Sequence, residues 1–372
     1  MIRKLIYLIF RMLPIRKNRV LFIGYYGSQY GCNPKYISRS LTKKHNGKLD
    51  ITWAFTEPDR HEVAGVRKVR YGSLSYLLAL ATAKVICTNY RMTTDFIKRY
   101  NQIYIQTWHS SLRLKKIEAD TEASLPAHYI RMAKHDSAQT DFVIAGCNFS
   151  HNTFRNSFWY SGEILDFGTP RNDLLLAADT EYSNELKKNL GVSSDTKIVL
   201  YAPTFRKEKS TECYKLNFKR LTKALYEKYG GDWIVVLRLH PHLLNCELFK
   251  GLDNVVDATK YDDIQELLCM ADVLVSDYSS LIFDFALTGR PVFLFATDLD
   301  SYIQNDRSLY FDLTELPFPV ACDNEALAHA IQTMDDHSYA ENITEFNKQV
   351  GSYEDGKASD RIADLILKQT IK

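Results

Sequence analysis

Short apolar runs alternate along this chain with segments of helical periodicity, and each run ends in polar residues. Runs that are apolar at nearly every position are typical of strands in a parallel sheet, because helices cover both faces of such a sheet. One run, residues 103–106, lies just before His109, and another, residues 233–239, lies just before His240. Ligands of parallel sheets bind beyond the carboxyl ends of the strands. The sequence therefore predicts one substrate-facing histidine in each half of the chain.

The order of the predicted elements favours a doubly wound α/β fold in both halves. In the first half we predict strands at residues 20–23, 51–55, 85–88, 103–106, 142–145 and 164–167, and helices at 33–44, 122–136 and 150–157. In the second half we predict strands at residues 198–201, 233–239, 273–275 and 292–295, and helices at 181–190, 218–229, 262–270, 280–288, 324–334 and 358–367. Because 372 residues exceed a typical domain, we expect two Rossmann-like domains that face a central cleft. They span residues 19–173 and 174–345, and a C-terminal helix lies within residues 346–372.

Composition and charge exclude few functions. The formal net charge is +2, so global electrostatics argues neither for nor against a polyanionic partner. We expect no nucleic-acid partner. The seven cysteines include no C-x-x-C pair, which indicates reduced thiols and neither a disulfide nor a zinc framework. The acidic residues show no convincing metal-ligand spacing, so we expect no catalytic metal and no cofactor.

The first 18 residues form a basic amphipathic segment. On a helical wheel the apolar face carries Ile2, Leu5, Ile6, Ile9 and Leu13, and the opposite face carries Arg3, Lys4 and Arg11. The apolar run is too short to span a bilayer, and it lacks the small-residue cleavage site of a signal peptide. Two interpretations stay open: a helix that lies on an anionic membrane surface, or a terminal helix packed on its own domain.

The strongest local signal is an apolar strand that runs into Asp277, Ser279 and Ser280 immediately before a predicted helix. Hydroxyls and backbone N–H groups at a helix start favour a phosphate, because the positive end of the helix dipole lies there. The alternative is that serine simply caps the helix.

Two further strand ends in the second half carry cationic or hydroxyl groups. Thr204 and Arg206 follow one strand; Arg238 and His240 follow another and alternate onto the same side. Arginine suits phosphate oxygens because its planar guanidinium can bind two of them. Taken singly, such an arginine can equally form a surface ion pair, and His240 can be a structural histidine. Three converging strand ends favour a nucleotide diphosphate pocket.

In the first half, His109 is a candidate general base because the pKa of histidine lies near working pH. Arg113, Lys115 and Lys116 follow it closely. They can hold a polyanionic acceptor or form an ordinary solvated face, and the sequence leaves both open.

Together these segments resemble the CDP-glycerol glycerophosphotransferase family, the enzymes of teichoic-acid and capsule synthesis. The matching segments, in family order, are residues 108–120 (WHSSLRLKKIEAD), 168–175 (GTPRNDLL), 200–206 (LYAPTFR), 237–241 (LRLHP), 276–287 (SDYSSLIFDFAL) and 290–312 (RPVFLF…DLDSYI…R…YFD). The resemblance implies a GT-B-type fold and transfer of a polyol phosphate, most simply glycerol phosphate, from a CDP-activated donor, with release of CMP. It also implies a lipid-linked or polymeric glycan acceptor and a peripheral enzyme on the cytoplasmic face of the cell membrane.

The resemblance assigns roles to particular residues. His109 is then the base on the acceptor hydroxyl, and His240, with Arg238, Ser279 and Ser280, stabilises the diphosphate and the departing CMP. The remaining motif residues are expected to bind substrate: Arg171, Asn172, Asp173, Thr204, Arg206, Asp277 and Arg307. Asp284 is expected to meet the ribose hydroxyls, an inference from general nucleotide-site geometry.

The chain departs from the family pattern at Ser110 and Ser111, where the family usually has glycine and threonine, and at Ser308, where glycine is common. These departures leave the acceptor and the polyol open, including CDP-ribitol as donor. Two other classes stay possible: a non-catalytic membrane-peripheral subunit that binds nucleotide or polymer, and a conventional sugar-nucleotide glycosyltransferase.

Overall fold

The computed structural model describes residues 2–44, 47–206, 214–239, 254–299, 301–302 and 308–370. It divides into two compact units. The first unit comprises Met1–Ser111, Ile117–Asp173 and Ser352–Lys372, and the second comprises Leu112–Lys116 and Leu174–Gly351.

The first unit contains a parallel seven-stranded sheet with the order β3-β2-β1-β4-β5-β6-β7. Its strands are β1 (Arg16–Ile23), β2 (Asp50–Phe55), β3 (Arg67–Arg70), β4 (Ala83–Thr88), β5 (Ile103–Gln106), β6 (Phe142–Ile144) and β7 (Glu163–Leu165). Its helices are Ile2–Phe10, Cys32–Lys44, Leu74–Thr82, Ala127–Gln139, Asn148–Ser157 and the C-terminal helix Ala358–Thr370. The short helix Asp173–Ala177 begins at the last residue of this unit.

Alternating side chains of β1 build a core on each face of this sheet. Leu21 and Ile23 pack in one apolar cluster, whereas Val20 and Phe22 pack in the other. The second cluster includes three residues of the C-terminal helix, Ile362, Ala363 and Ile366. The end of the chain therefore completes the first domain, which the sequence pattern did not indicate.

The second unit contains a parallel sheet with the order β10-β9-β8-β11-β12-β13. Its strands are β8 (Lys197–Ala202), β9 (Trp233–Leu237), β10 (Val255–Asp257), β11 (Val273–Ser276), β12 (Val292–Phe295) and β13 (Val320–Ala321). Its helices are Thr180–Asn189, Phe218–Tyr229, Ile264–Met270, Leu281–Ala286, Asn324–Thr333 and Asp336–Gln349. Both sheets are thus parallel with flanking helices, and the expectation of two α/β units is confirmed.

Several elements have sequence signals too weak for prediction. The strand Arg67–Arg70 buries only Val69, and β13 has two residues. The helix Leu74–Thr82 is apolar at most positions, so its periodicity is faint. The predicted helix at residues 122–136 is confirmed from Ala127 onward, but its start is wrong. A 3-10 segment ends at Ser124, and the α-helix begins only after Pro126, which disfavours helical backbone in the residue before it.

The N-terminal helix Ile2–Phe10 packs on the first unit. Tyr7 is buried, and its hydroxyl donates to the Ile97 carbonyl at 3.0 Å. The opposite side of the helix leaves Leu5 60% and Ile9 54% exposed. Both interpretations of this segment therefore keep support: it packs on its own domain and still presents apolar side chains outward. Among the described residues, no helix is both long enough and apolar enough to cross a bilayer.

Candidate active site

A strained turn after β5 exposes His109. Trp108 has a φ of +52°, a left-handed conformation that costs a bulky residue about 1–3 kcal/mol. Its N–H donates to Gln106 Oε1 at 3.0 Å, and its carbonyl accepts from Asn33 Nδ2 at 3.1 Å. Its indole packs edge-on against Phe158 at 4.9 Å. These contacts hold the turn, and the exposed His109 side chain follows directly from it.

The contacts of His109 define which ring nitrogen can act as a base. Nδ1 lies 3.2 Å from the Asn89 carbonyl, and a carbonyl only accepts, so Nδ1 carries the hydrogen in this contact. Nε2 then carries the basic lone pair. The ring also stacks on Trp108, with centroids 4.5 Å apart. The structure therefore presents an oriented imidazole with Nε2 as its proton acceptor.

A buried polar network lies beneath this turn. Gln106 Nε2 donates to the Tyr90 carbonyl at 2.8 Å and to Tyr104 Oη at 3.1 Å. The Tyr104 hydroxyl donates to Asp136 at 2.9 Å, and Arg91 pairs with the same carboxylate at 3.1 Å. Burial raises the pKa of Asp136, although the Arg91 charge opposes that shift. These buried hydrogen bonds tie β5 to the helix that carries Asp136.

Sequence reasoning missed the residues that support His109. Asn89 directly follows β4, and Gln106 is the last residue of β5, so both lie at strand ends of the same sheet. Their position at the ends of strands is the sequence signal that could have identified them, since neither residue type is distinctive.

In the second unit, the predicted residues Thr204, Arg206 and Asp277 come together. Arg206 is buried and donates to Asp277 at 2.8 Å and to Asp298 at 2.6 Å and 3.0 Å. The remaining described N–H contact of its guanidinium goes to the Thr204 carbonyl at 2.6 Å. Asp277 also accepts from the Thr204 N–H at 2.8 Å. The network fixes the loop after β8 against the loop after β11, with Asp298 as a member that sequence reasoning missed.

The electrostatics of this network is that of a buried ion pair. Although burial opposes the shift, hydrogen bonds to Asp298 and the Asp277 charge raise the pKa of Arg206. The same contacts lower the pKa of Asp298 against the effect of its burial. Arg206 is thus held by two carboxylates in this structure, and its contact with a phosphate stays a prediction.

Ser279 and Ser280 lie where the sequence predicts, between β11 and the six-residue helix Leu281–Ala286. Both are half-buried, and the Ser280 hydroxyl accepts from the Leu114 N–H at 3.2 Å. Thr204 Oγ1 is buried and makes no hydrogen bond to any residue that the structure describes. These residues follow β8 and β11 at the carboxyl edge of the sheet, and the Ser279 hydroxyl accepts from the Leu281 N–H at 3.5 Å, as in the capping alternative. A contact with phosphate stays a prediction.

Asp284 and Arg238 both make contacts within the second unit. Asp284 is fully buried and accepts from Gln265 Nε2 at 3.3 Å, so the structure gives no support to a ribose contact. Arg238 Nη1 donates to the carbonyl of Ala258 at 3.0 Å and to that of Thr259. The phosphate role of Arg238 stays a prediction.

The motif at residues 171–173 serves the fold of the first unit. Arg171 is buried, and its N–H donates to Asn33 Oδ1 at 3.0 Å; Asn172 is fully buried and donates to Glu354 at 3.3 Å. Asp173 accepts from the N–H groups of Ala358 and Ser359 at 3.0 Å and 2.7 Å, which caps the C-terminal helix. Burial raises the pKa of Asp173. The side chains of Asn172 and Asp173 thus hold the C-terminal part of the chain in place. The expected substrate binding by these three residues stays a prediction.

The basic stretch after His109 belongs to the second unit. An isolated antiparallel bridge pairs Lys115 with Leu309, and the N–H of Lys116 donates to the Ser308 carbonyl at 2.9 Å. Arg113 is buried and Lys115 Nζ lies 5.4 Å from the ring centroid of Tyr302. For Arg113, burial rules out the alternative of an ordinary solvated face.

His240 and Arg307 lie outside the described residues. Their assignments, as the second catalytic histidine and as a substrate ligand, stay predictions.

Comparison with known proteins decides the family. The model of the CDP-Glycerol:Poly(glycerophosphate) glycerophosphotransferase family matches residues 5–368. The chain belongs to this family. The resemblance inferred from the motifs is thereby confirmed, and the match reaches well beyond them in both directions.

Individual relatives agree with this assignment. The teichoic acid glycerol-phosphate transferase of Staphylococcus aureus (strain NCTC 8325 / PS 47) is 33% identical over 98% of this chain and 97% of its own length. The teichoic acid poly(glycerol phosphate) polymerase of Staphylococcus epidermidis is 34% identical over 95% of this chain, but the match spans only 51% of that longer protein. A solved structure of the wall teichoic acid polymerase TagF superposes with a TM-score of 0.88 at 31% identity, covering 99% of this chain and 94% of that one. The expected GT-B-like fold is confirmed by this likeness.

Proposed function

We propose that this glycerophosphotransferase family member transfers glycerol phosphate from CDP-glycerol to a hydroxyl of a lipid-linked or polymeric teichoic acid acceptor, with release of CMP. The observation that carries the proposal is the oriented His109 within a chain that matches the family over residues 5–368. The names of the relatives support glycerol phosphate as the transferred group.

The proposed step is a displacement at phosphorus. The acceptor oxygen attacks the phosphorus that bears glycerol, the bond from that phosphorus to the bridging oxygen breaks, and CMP leaves with the bonding electron pair. His109 Nε2 takes the proton of the attacking hydroxyl, while the Asn89 carbonyl keeps Nδ1–H in place at 3.2 Å. Phosphoryl transfer needs mainly positioning and charge stabilisation, so the side chains need not form a covalent intermediate.

We assign the donor to the second unit. The hydroxyls of Ser279, Ser280 and Thr204 lie at the carboxyl edge of its sheet, where phosphates bind in α/β folds. Arg238 and the histidine at position 240 are proposed to add positive charge at the diphosphate. CDP-ribitol is the alternative donor, and the proposed reaction uses no cofactor or metal and involves no nucleic acid.

We further propose that the protein works at the cytoplasmic face of the cell membrane as a peripheral protein. The N-terminal helix supports this, because it leaves Ile2 75%, Leu5 60% and Ile9 54% exposed. Lys4 lies on the same helix and pairs with the exposed Asp95 at 3.1 Å. Met12, just beyond the helix, is 84% exposed. Apolar residues beside basic ones are typical of helices that lie on anionic lipid.

A donor panel tests the proposal. Purified protein is given CDP-glycerol, CDP-ribitol or a UDP-sugar with a lipid-linked acceptor, and nucleotide release is measured. We expect CMP release from CDP-glycerol at a rate well above that with either competitor. Faster turnover of CDP-ribitol would identify CDP-ribitol as the donor. Release of UDP alone would favour a sugar transferase. Tight CDP-glycerol binding without any release would instead favour a non-catalytic subunit.

A further inference from the structure

The loop after β1 holds two tyrosines in strained backbone. Tyr25 has a φ of +44° and Tyr26 a φ of +57°, both in the left-handed region that side chains of this size rarely adopt. The Gly27 N–H donates to the Gly24 carbonyl at 2.7 Å, and the Thr56 N–H donates to the Gly27 carbonyl at 2.8 Å. Glycine would relieve the strain at both tyrosine positions. Strained residues of this kind cluster at ligand sites, which indicates that the two side chains have a role beyond the fold.

The same loop is fixed to the residue that orients His109. Asn89 is fully buried; its Oδ1 accepts from the Tyr25 N–H at 2.9 Å, and its carbonyl accepts from His109 Nδ1 at 3.2 Å. The rings of Tyr25 and His109 lie 6.3 Å apart. One asparagine therefore sets the position of the tyrosine loop relative to the candidate base.

Tyr26 offers a fixed aromatic surface beside this arrangement. Its side chain is 47% exposed, yet its ring packs against buried Tyr90 with centroids 3.9 Å apart. Packing on one side restricts rotation of the ring while the rest of it stays open. A tyrosine phenol is neutral near physiological pH, and partial burial raises the pKa of Tyr26 further.

We infer that Tyr26, the neighbour of the Asn89-bound Tyr25, forms an acceptor subsite that packs against the carbon-bearing face of the polyol or sugar unit next to the reacting hydroxyl. This inference rests on the proposed function and deepens it. A polyol or sugar unit is polar at its hydroxyls but presents C–H groups on one face, and a fixed aromatic ring is the usual protein partner for such a face. The neutral ring suits the uncharged part of the acceptor, so the phosphates must be recognised by other groups.

Direct binding of a lipid-free probe tests the subsite. Affinity for a synthetic glycerol-phosphate trimer is measured by calorimetry in the absence of donor, for the wild type and for Tyr26→Ala. We expect about tenfold weaker binding in the variant, which corresponds to about 1.4 kcal/mol. Tyr26→Phe keeps the ring and should retain most of the affinity. Tyr26→Gly, which relieves the backbone strain and is therefore expected to fold, should bind as weakly as Tyr26→Ala.

Tyr226→Ala is the matched control, because Tyr226 is a 61% exposed tyrosine on a helix of the second unit. It should bind the trimer like the wild type. Unchanged affinity in Tyr26→Ala, or no binding of the trimer by the wild type, would overturn the inference. So would a loss of binding to anionic vesicles in Tyr26→Ala with trimer affinity intact, since Tyr26 would then be a membrane contact.

The two proposals fail in different ways. Tyr26-dependent trimer binding without CMP release from CDP-glycerol supports the subsite and contradicts the proposed function. CMP release together with Tyr26-independent trimer binding contradicts only the subsite.

Discussion

The two sheets carry their candidate site residues in different ways. In the first unit the candidate base is exposed and is held by neutral groups: a backbone carbonyl, an indole ring and a strained turn. In the second unit the motif residues Arg206 and Asp277 are buried and pair with each other. A base must exchange protons with a substrate, so it needs a surface. A loop whose side chains pair with each other needs no such exposure.

The ion pairs of Arg206 affect whether its charge can attract a phosphate. Arg206, Asp277 and Asp298 together carry one positive and two negative charges in close contact. Such a group does not attract a phosphate by net charge. We infer that any attraction for the diphosphate comes from neighbouring hydroxyls, backbone N–H groups and other cations, while the ion-pair network keeps them in position.

The largest expected effect is that of His109→Ala on the rate. Loss of a general base should lower kcat for CMP release by about 10²- to 10⁴-fold, with little change in stability because the side chain is exposed. His337→Ala is the matched control, since that histidine is exposed on a helix of the second unit. If His109→Ala releases CMP as fast as the wild type, His109 is not the base, and the two units no longer differ in this respect.

Arg206→Met should mainly lower the stability of the second unit, whereas His109→Ala should mainly lower the rate. Removing the cation leaves two carboxylates without their partner at a buried site, which typically costs about 3–5 kcal/mol. Hydrogen exchange measured by mass spectrometry should accelerate in β8 and β11 and stay unchanged in β1 and β4. Arg220→Ala, which breaks an exposed pair with Glu325, should cost no more than about 1 kcal/mol. Equal effects of the two variants would show that the network adds no stability.

The same network predicts how the second unit responds to acid. The Arg206 contacts lower the pKa of Asp298 in the folded state against the effect of burial, so their stabilisation is present above the unfolded pKa, about 4. It is lost as the pH falls through the folded pKa. Exchange protection of β8 and β11 should therefore drop below about pH 4 in the wild type. In Arg206→Met this drop should be weaker; an identical pH profile would assign the acid sensitivity to other groups.

Much of the fold was predictable because its signals are local. The buried strands at residues 103–106 and 292–295, and the helix at residues 218–229, match the structure at both ends. Apolar runs of this length need no knowledge of distant partners. The short strands β3 and β13 were not predictable, since edge strands bury few side chains and rely on pairing with a neighbour.

The site was predictable in its positions but less so in its contacts. Motifs placed Ser279, Ser280 and His109 correctly at strand ends. Whether a polar residue faces a ligand or a distant part of the same chain depends on tertiary contacts. Asp173 illustrates this, because its partners lie 185 and 186 residues away along the chain. Asn89 shows the converse, a residue without a motif that nonetheless orients the candidate base.

The smallest effect concerns Asp173 and decides between a role in the fold and a role in substrate binding. Asp173→Ala removes the cap of the C-terminal helix, which should cost about 1 kcal/mol and speed hydrogen exchange at the start of that helix. Asp173→Asn keeps an acceptor oxygen and should lose less. If the carboxylate serves only the fold, KM for CDP-glycerol should stay near the wild-type value in both variants. A rise in KM in Asp173→Asn with normal exchange protection would make Asp173 a substrate ligand, and the motif at residues 171–173 would then combine scaffold and binding roles.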